Sequence, residues 1–321
     1  MSSQTAPTQN FLTQMSGRLN GKKSAGRSLG LGKQLLMQLL LLFIAFIVLF
    51  PILWIVSLSL DPRDMLRPTE LRLIPPGASA QAYVGVIKRP TNNDISFPQL
   101  ALNSFKLATG TSLASVAVGI LAAYSFSRFK FRGRETLMLS VVTVLMLPSI
   151  ATLPALYVLL NRFQFVNPDT GKMFFNLRDS LWGVGLAMTS SALPLAIWNL
   201  KGYLDTIPKE LEEAAIIDGC TPNQVFIRII LPLATPVLAV TAFLGFMSGW
   251  TEFAMSWQFL NKVQDHTLMM ELYNMIGQYA DNTPWSKFAA MSILVAFPVS
   301  AVYLALQKYI VSGLTIGGVK G

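Results

Sequence analysis

The sequence predicts an all-α membrane protein of about six transmembrane helices. Half of the 321 residues are hydrophobic (52%) and only 13% are charged, against roughly one quarter charged in a soluble domain. The mean hydropathy is +0.50. Apolar runs long enough to cross a hydrocarbon core of roughly 30 Å recur along the whole chain, which favours one membrane unit over two soluble domains. They are Leu35 to Leu60, Leu102 to Phe126, Leu137 to Leu160, Leu181 to Leu200, Leu231 to Trp250 and Phe288 to Leu306. Each is long enough to satisfy its backbone internally as a helix.

The first run is about 26 residues long, whereas a signal peptide has an apolar core of about 7–15 residues, so it reads as a retained anchor. Before it lies a basic leader, 1–33, rich in Ser, Thr, Gln and Gly and expected to be mostly disordered. The first helix and a Pro-rich extracytoplasmic loop fill 34–98, the core transmembrane domain 99–311, and a cytoplasmic tail 312–321. Lys and Arg set the orientation, because short cytoplasmic loops retain more of them. With both termini inside, the cytoplasmic set is Arg18, Lys22, Lys23, Arg27, Lys33, Arg128, Lys130, Arg132, Arg134, Lys201, Lys209, Arg228, Lys308 and Lys320. The outer loops hold fewer, diluted by Asp61, Asp64, Glu70, Asp94, Asp169, Asp179, Asp265 and Asp281.

Several chemistries are excluded or weakened. The net charge of +9 comes from residues between apolar runs and not from a stripe interleaved with aromatics, which favours anionic lipid over nucleic acid. One cysteine, Cys220, allows no internal disulfide, and His266 stands alone, so no zinc spacing exists. Gly21 to Ser28 nearly matches the phosphate-binding pattern, but Arg27 replaces its lysine and no apolar strand precedes it. The chain therefore holds no ATPase site of its own.

Small residues at close-packing spacing (Gly110, Ser112, Ser115, Gly119; Gly183, Gly185; Ala234, Ala239, Gly245) mark helix contacts. Prolines inside the runs (Pro51, Pro148, Pro154, Pro194, Pro236, Pro298) should kink or break helices. Glu252 reads as an interfacial residue beside an aromatic belt of Trp250 and Trp257, and Lys106 as a residue that snorkels to the outer surface.

The polar segment from Asp205 to Pro232 reads as a cytoplasmic helix-turn-helix. Asp205 or Thr206 can cap its start, Pro208 suits a first turn, and Glu210, Glu212 and Glu213 place negative charge at the positive helix end. Gly219 suits a left-handed stop. Thr221 caps a second helix with Pro222 at its first position, and Pro232 is expected to interrupt that helix. Leu211, Ala214, Ala215 and Asp218 share one face at helical spacing, suited to another protein's groove.

Glu213-Ala214-Ala215, Asp218-Gly219, and Ile229 followed by Leu231-Pro232 resemble the EAA loop of ABC importer permeases. Ala123-Tyr124, Leu156-Tyr157, Lys201-Gly202-Tyr203 and the ending Gly313 to Gly321 reinforce the resemblance, which covers nearly everything after Gln34. It implies the type I importer permease fold and the binding-protein-dependent carbohydrate class, with maltose or maltodextrins favoured by the ending over trehalose, glycerol phosphate or multiple sugars. The implied partners are a second permease subunit, two ATPase subunits that use ATP and Mg, an extracytoplasmic sugar-binding protein and membrane lipid. The chain itself would be non-catalytic, without bound cofactor or metal, in a bacterial inner membrane. The ATPase-docking residues would be Glu210, Leu211, Glu213, Ala214, Ala215, Asp218 and Gly219, with Glu213 the charge contact. Gly317, Gly318 and Lys320 would approach the ATPase from the tail. Cys220 stands where the family commonly has Ala. An ion-coupled secondary transporter would need ion-coordinating groups at midplane or an internal repeat, and a membrane enzyme clustered His, Asp or Glu; neither pattern is convincing here.

Overall fold

The computed structural model describes residues 31–64, 73–166, 168, 173–276 and 283–317. Residues 1–30 of the predicted leader, with its phosphate-loop lookalike, and Gly318 to Gly321 lie outside these residues, and 31–33 begin the first helix. The chain divides into two compact units, Met1–Leu53 and Trp54–Gly321.

Helix α1, Leu31–Ser59, supplies the described part of the first unit and enters the second. No acidic or basic residue interrupts it between Lys33 and Asp61, so nothing offsets its transfer into hydrocarbon. Pro51 sits inside this helix without ending it.

The second unit is built from α2 (Gln81–Lys88), α3 (Phe97–Arg128), α4 (Arg134–Val144), α5 (Ser149–Asn161), α6 (Leu181–Leu204), α7 (Glu210–Ile217), α8 (Pro222–Leu233), α9 (Thr235–Trp250), α10 (Ala254–Phe259), α11 (Leu268–Asn274) and α12 (Trp285–Gly317). A short antiparallel hairpin, β1 (Gln164–Val166) with β2 (Met173–Asn176), pairs Phe165 with Phe175 after α5. Among the described residues, α1, α3, α6 and α12 are long and apolar enough to cross a membrane by themselves. The pairs α4 with α5 and α8 with α9 bring the number to six if each is one span.

Two of the expected spans are broken, at places where the sequence puts proline. Leu137 to Leu160 divides into α4 and α5, which meet at 104°. Proline disfavours helical geometry at the residue before it, here Leu147. The chain leaves α4 through tightened turns, with Leu145, Met146 and Leu147 bonding three residues back to Val142, Thr143 and Val144. The fifth expected span bends by 74° between α8 and α9. Pro232 does not end α8, as the sequence suggested. A π-turn over Phe226–Ile230, closed by Leu231 N–H to the Phe226 carbonyl, precedes the proline, and the break comes at Ala234. Pro232 and Pro236 each lack a backbone donor, so the ladder has a gap on either side of that residue.

Helix α3 is the centre of the unit, packed against α6 and α9. Near its start, Leu100 and Ala108 join Val86, Phe246, Trp250, Leu268 and Met291. Beside Ala108, Leu107 meets Val184, Met188 and Phe259. Near its end, Ile120 and Ala123 meet Leu200, Leu204, Ile230 and Ala234. Leu113, Leu121, Leu139, Leu186 and Phe297 are exposed, a distribution suited to lipid and not to water.

Helix α9 crosses α3 at close range. A Cβ on Gly249 would lie 2.6 Å from the Cα of Ala108, and one on Gly245 would lie 2.9 Å from the Cα of Ser112. Ser112 Oγ donates to the Ala242 carbonyl at 2.7 Å. Of the small residues marked in the sequence, Gly119 does similar work against α6, its missing Cβ 3.1 Å from Leu200 Cδ1, while Gly110 faces open space. Helix α9 is also tied to α12 by Trp250 Nε1–H donating to the Val295 carbonyl at 3.1 Å.

Gly249→Val is therefore expected to cost about 1–3 kcal/mol as an overpacking change, because backbone blocks the new atoms. Gly85→Ala in α2 should be tolerated, since its Cβ would meet only the end of the Lys287 side chain at 3.3 Å. Thermal unfolding of the two purified variants in one detergent checks this; equal midpoints would contradict the close crossing.

Candidate functional site

The loop between α6 and α9 is held at both ends by side chains. Lys201 Nζ donates to Asp205 at 2.6 Å, and Ser127 Oγ donates to the same carboxylate at 2.6 Å. Burial pushes the Asp205 carboxyl up, but these bonds and the charges of Lys201 and Arg134 outweigh it and hold the group below its ordinary value. Thr206 Oγ1 donates back to the Tyr203 carbonyl at 2.7 Å. Asp205 and Thr206 thus finish α6. Neither caps α7 as the sequence suggested: that helix begins after Lys209, without a side-chain cap, and Pro208 lies just before it.

The predicted stop is present in detail. Gly219 adopts φ +87°. Its N–H donates to the Ile216 carbonyl and Cys220 N–H to the Ala215 carbonyl, each at 3.0 Å, the Schellman arrangement that closes a helix end. Thr221 then forms a reciprocal capping box with Gln224 at the start of α8.

Glu212 turns inward. Arg128 Nε donates to its carboxylate, Tyr124 Oη donates at 3.0 Å, and Arg128 Nη2 donates to the Ile207 carbonyl at 3.0 Å. The Arg128 and Glu212 side chains are 7% and 12% exposed. Helix α7 is therefore fixed to the end of α3 by a nearly buried ion pair. The Tyr124 ring also lies 4.9 Å from that of Phe226 in α8. The sequence marked Tyr124 and Glu212 separately; nothing in their spacing of 88 residues joins them.

The predicted docking face is rotated. Ala215 is buried against the protein, whereas Glu210, Leu211, Glu213, Ala214, Asp218 and Gly219 are exposed. Ile216 and Ile217, absent from that face, are 55% and 85% exposed. The outward surface of α7 thus carries Glu210, Glu213, Ala214 and Ile217 at helical spacing. Of the tail candidates, Gly317 is the last residue of α12, and Gly318 and Lys320 lie outside the described residues.

The other end of the bundle holds a buried carboxylate that sequence reading missed. Glu271 in α11 is wholly buried. It accepts from Thr91, from Asn93 Nδ2 at 2.8 Å, from His266 Nδ1 at 2.6 Å and from Asn274 Nδ2 at 3.1 Å. Burial pushes this carboxyl up, and the four hydrogen bonds together bring it below its ordinary value. Asn103 and Ser104 of α3 bind the same loop through the Gln264 and His266 carbonyls and Leu268 N–H. Glu252 lies just past α9, as expected, but its carboxylate is buried as the cap of α10. It accepts from Met255 N–H at 2.6 Å, Ser256 N–H at 2.8 Å and Ser256 Oγ at 2.5 Å. Phe253, Trp257 and Tyr273 cluster beside it. Lys106 is exposed. Among the described residues, no three His, Cys, Asp or Glu side chains are grouped to hold a metal ion.

Residues 115–316 match the family described as the binding-protein-dependent transport system inner membrane component. The chain belongs to this family. The matched stretch includes α7, Gly219 and the capping box. The maltose/maltodextrin transport system permease protein MalG of Yersinia pestis is 34% identical over 84% of this chain and 88% of its own length. The galactooligosaccharides transport system permease protein GanQ of Bacillus subtilis (strain 168) is 32% identical over 84% of this chain and 90% of its own. A crystal structure of a bacterial ABC transporter involved in import of the acidic polysaccharide alginate contains a chain of the same fold. It superimposes with a TM-score of 0.67 at 19% identity, covering 96% of this chain and 100% of that one. The protein is thus a multi-pass inner-membrane permease with the importer permease fold that the EAA resemblance implied.

Removing one member of the Arg128–Glu212 pair should cost about 3–5 kcal/mol, since the other charge stays buried without its partner. The Arg128→Met/Glu212→Leu double variant should recover much of that loss in thermal unfolding, whereas additive losses would mean the two groups do not interact. The depressed Glu271 carboxyl stabilises the fold above its unfolded-state value, and that contribution is lost as pH falls through its lower folded value. Glu271→Gln should therefore unfold at lower temperature than the parent at pH 7, with the difference shrinking upon acidification.

Proposed function

We propose that this chain is a permease subunit of an ATP-driven carbohydrate importer and forms half of a path for maltose or maltodextrins. The sugar class is supported by relatives named as maltose/maltodextrin and galactooligosaccharide permeases, each covering most of this chain. Its partners are a second, related permease, two ATPase subunits that bind and hydrolyse ATP with Mg, and an extracytoplasmic sugar-binding protein. The chain itself binds no cofactor and catalyses no reaction. Both termini lie in the cytoplasm.

The observation that carries the coupling role is the outward surface of α7. Ile217, 85% exposed, projects from a helix that lies outside the candidate spans. In this reading Ile217, Leu211 and Ala214 seat in a cleft on an ATPase subunit, with Glu213 and Glu210 meeting basic groups at its rim. Asp218 and Gly219 shape the exit, and Ala215 supports the helix from within. Gly317, Gly318 and Lys320 approach the same partner. When the ATPases close on ATP, α7 moves with its cleft and draws α3 along through Glu212 and Arg128. Rigid movement of packed helix groups then switches the access of the path.

Co-reconstitution into liposomes with candidate permease, ATPase and binding-protein partners tests this reading. Maltose uptake should require ATP. Ile217→Asp should lower binding-protein-stimulated ATP hydrolysis and uptake together by more than about tenfold, as expected for a lost interface anchor, and Gly219→Pro should do the same by distorting the helix exit. Uptake driven by an ion gradient without any ATPase would sink the proposal.

A further inference from the structure

Five residues, 129–133, join α3 to α4. At 32 residues and 1.5 Å per residue, α3 is about 48 Å long. A bilayer with its headgroup layers is about 40–45 Å thick. The end of α3 and the short loop after it therefore lie at headgroup depth.

This loop carries cations that the protein does not neutralise. Arg128 is committed to Glu212. Lys130, Arg132 and Arg134 follow at alternate positions, and among the described residues none of them has a carboxylate within 4.0 Å. Arg134 acts on Asp205 through its charge, beyond ion-pair distance, while Lys130 and Arg132 are exposed. The rings between them hold the loop to α3: Phe129 lies 5.9 Å from Tyr124, and Phe131 lies 5.8 Å from Phe126.

A groove of about 450 Å³ opens beside these cations, lined by Lys130, Phe131, Gly133, Arg134, Glu135 and Thr136. Its volume falls within the about 300–1,000 Å³ of small-molecule sites. Gly133 adopts φ +84°, and a Cβ there would meet nothing within 4 Å. Glu135 is the only carboxylate among these lining residues, so the charge around the groove is positive on balance. One turn into the span, Leu137 donates its N–H to the Gly133 carbonyl at 2.9 Å, and its side chain is 52% exposed. Cations at headgroup depth with apolar surface directly below them match an amphiphile, where a free phosphate would use the upper part alone.

We infer that this groove binds the headgroup of an anionic phospholipid. Lys130 and Arg132 meet the phosphate, Arg134 adds its charge from the start of α4, and the acyl chains run down past Leu137. The lipid would hold in place the loop that follows Arg128.

The test titrates the detergent-solubilised full chain with phosphatidylglycerol and, separately, with neutral phosphatidylcholine, and counts bound lipid by native mass spectrometry. The parent should bind phosphatidylglycerol in preference. Lys130→Gln/Arg132→Gln should weaken that binding by about 25-fold, at about fivefold for each cation near a charged surface. Lys130→Arg/Arg132→Lys keeps both charges and should bind as the parent does. Lys209→Gln/Lys308→Gln removes the same charge from other exposed positions and should change little; an equal loss there would mean diffuse attraction and overturn the site. Inorganic phosphate at the concentration of the lipid should not displace it, and displacement would reveal a small-anion site instead. If the cations meet an ATPase subunit and not a lipid, the chain alone will bind the two lipids equally, which also overturns the inference.

Discussion

In a bilayer, apolar side chains gain little by leaving lipid for another helix, so helices associate through close packing and hydrogen bonds. The approach of α9 to α3 is where this bundle uses that route most fully. Gly245 and Gly249 lie one helical turn apart and present bare backbone to Ser112 and Ala108, which lie one turn apart on α3. The contact draws α9 close enough for Ser112 to bond the Ala242 carbonyl. Gly119 then lets α6 settle on another part of α3. Positions of α6, α9 and, through Trp250, α12 all follow from what α3 allows at these small residues.

Helix α3 has a second role, because both of its ends are wired to loops. At 32 residues and 1.5 Å per residue it is about 48 Å long. Asn103 and Ser104 near its start bind the loop that carries His266 and Glu271. Arg128 and Tyr124 near its end bind Glu212 on α7. Charges sit at these ends and not in the middle of the span, which keeps the cost of burying them low while still joining each loop to a stiff element. The ion pair at Arg128 is nearly shielded from water, so little ionic screening weakens it. On the proposed coupling role, displacement of α7 reaches α3 directly and then spreads to the helices packed on it.

The positions of the spans and the stop of α7 were legible in the sequence because each depends on neighbouring residues. Long apolar runs locate the spans, and Gly219, Thr221 and Pro222 carry the loop geometry within a few positions. Prolines were read less well. Pro51, Pro194 and Pro298 sit inside continuous helices, while Pro148 and the Pro232–Pro236 pair accompany breaks. A proline fixes one missing hydrogen bond, but whether the chain bends sharply depends on what packs around it. The orientation of α7 was also beyond reach. Three glutamates near its start look alike in sequence, and only Arg128 and Tyr124, brought near by the return of α6 along α3, single out Glu212. The Glu271 network was hidden for the same reason, since Thr91 and Asn93 lie 180 and 178 residues from it.

The two broken spans bear on where the bundle can bend. Where an α-helical ladder is complete, bending it costs hydrogen bonds that lipid cannot replace. At Leu145 to Leu147 the turns are already tightened. Around Ala234, a π-turn and two prolines have already removed regular bonds. Further rotation at these points breaks few bonds, whereas rotation within α3 would break many. The break at Ala234 also lies between α8, which packs on α7 through the Thr221 turn, and α9, which packs on α3. Movement of α7 therefore meets a rigid connection through Arg128 and a compliant one through Ala234, so α3 and α9 would respond unequally to it.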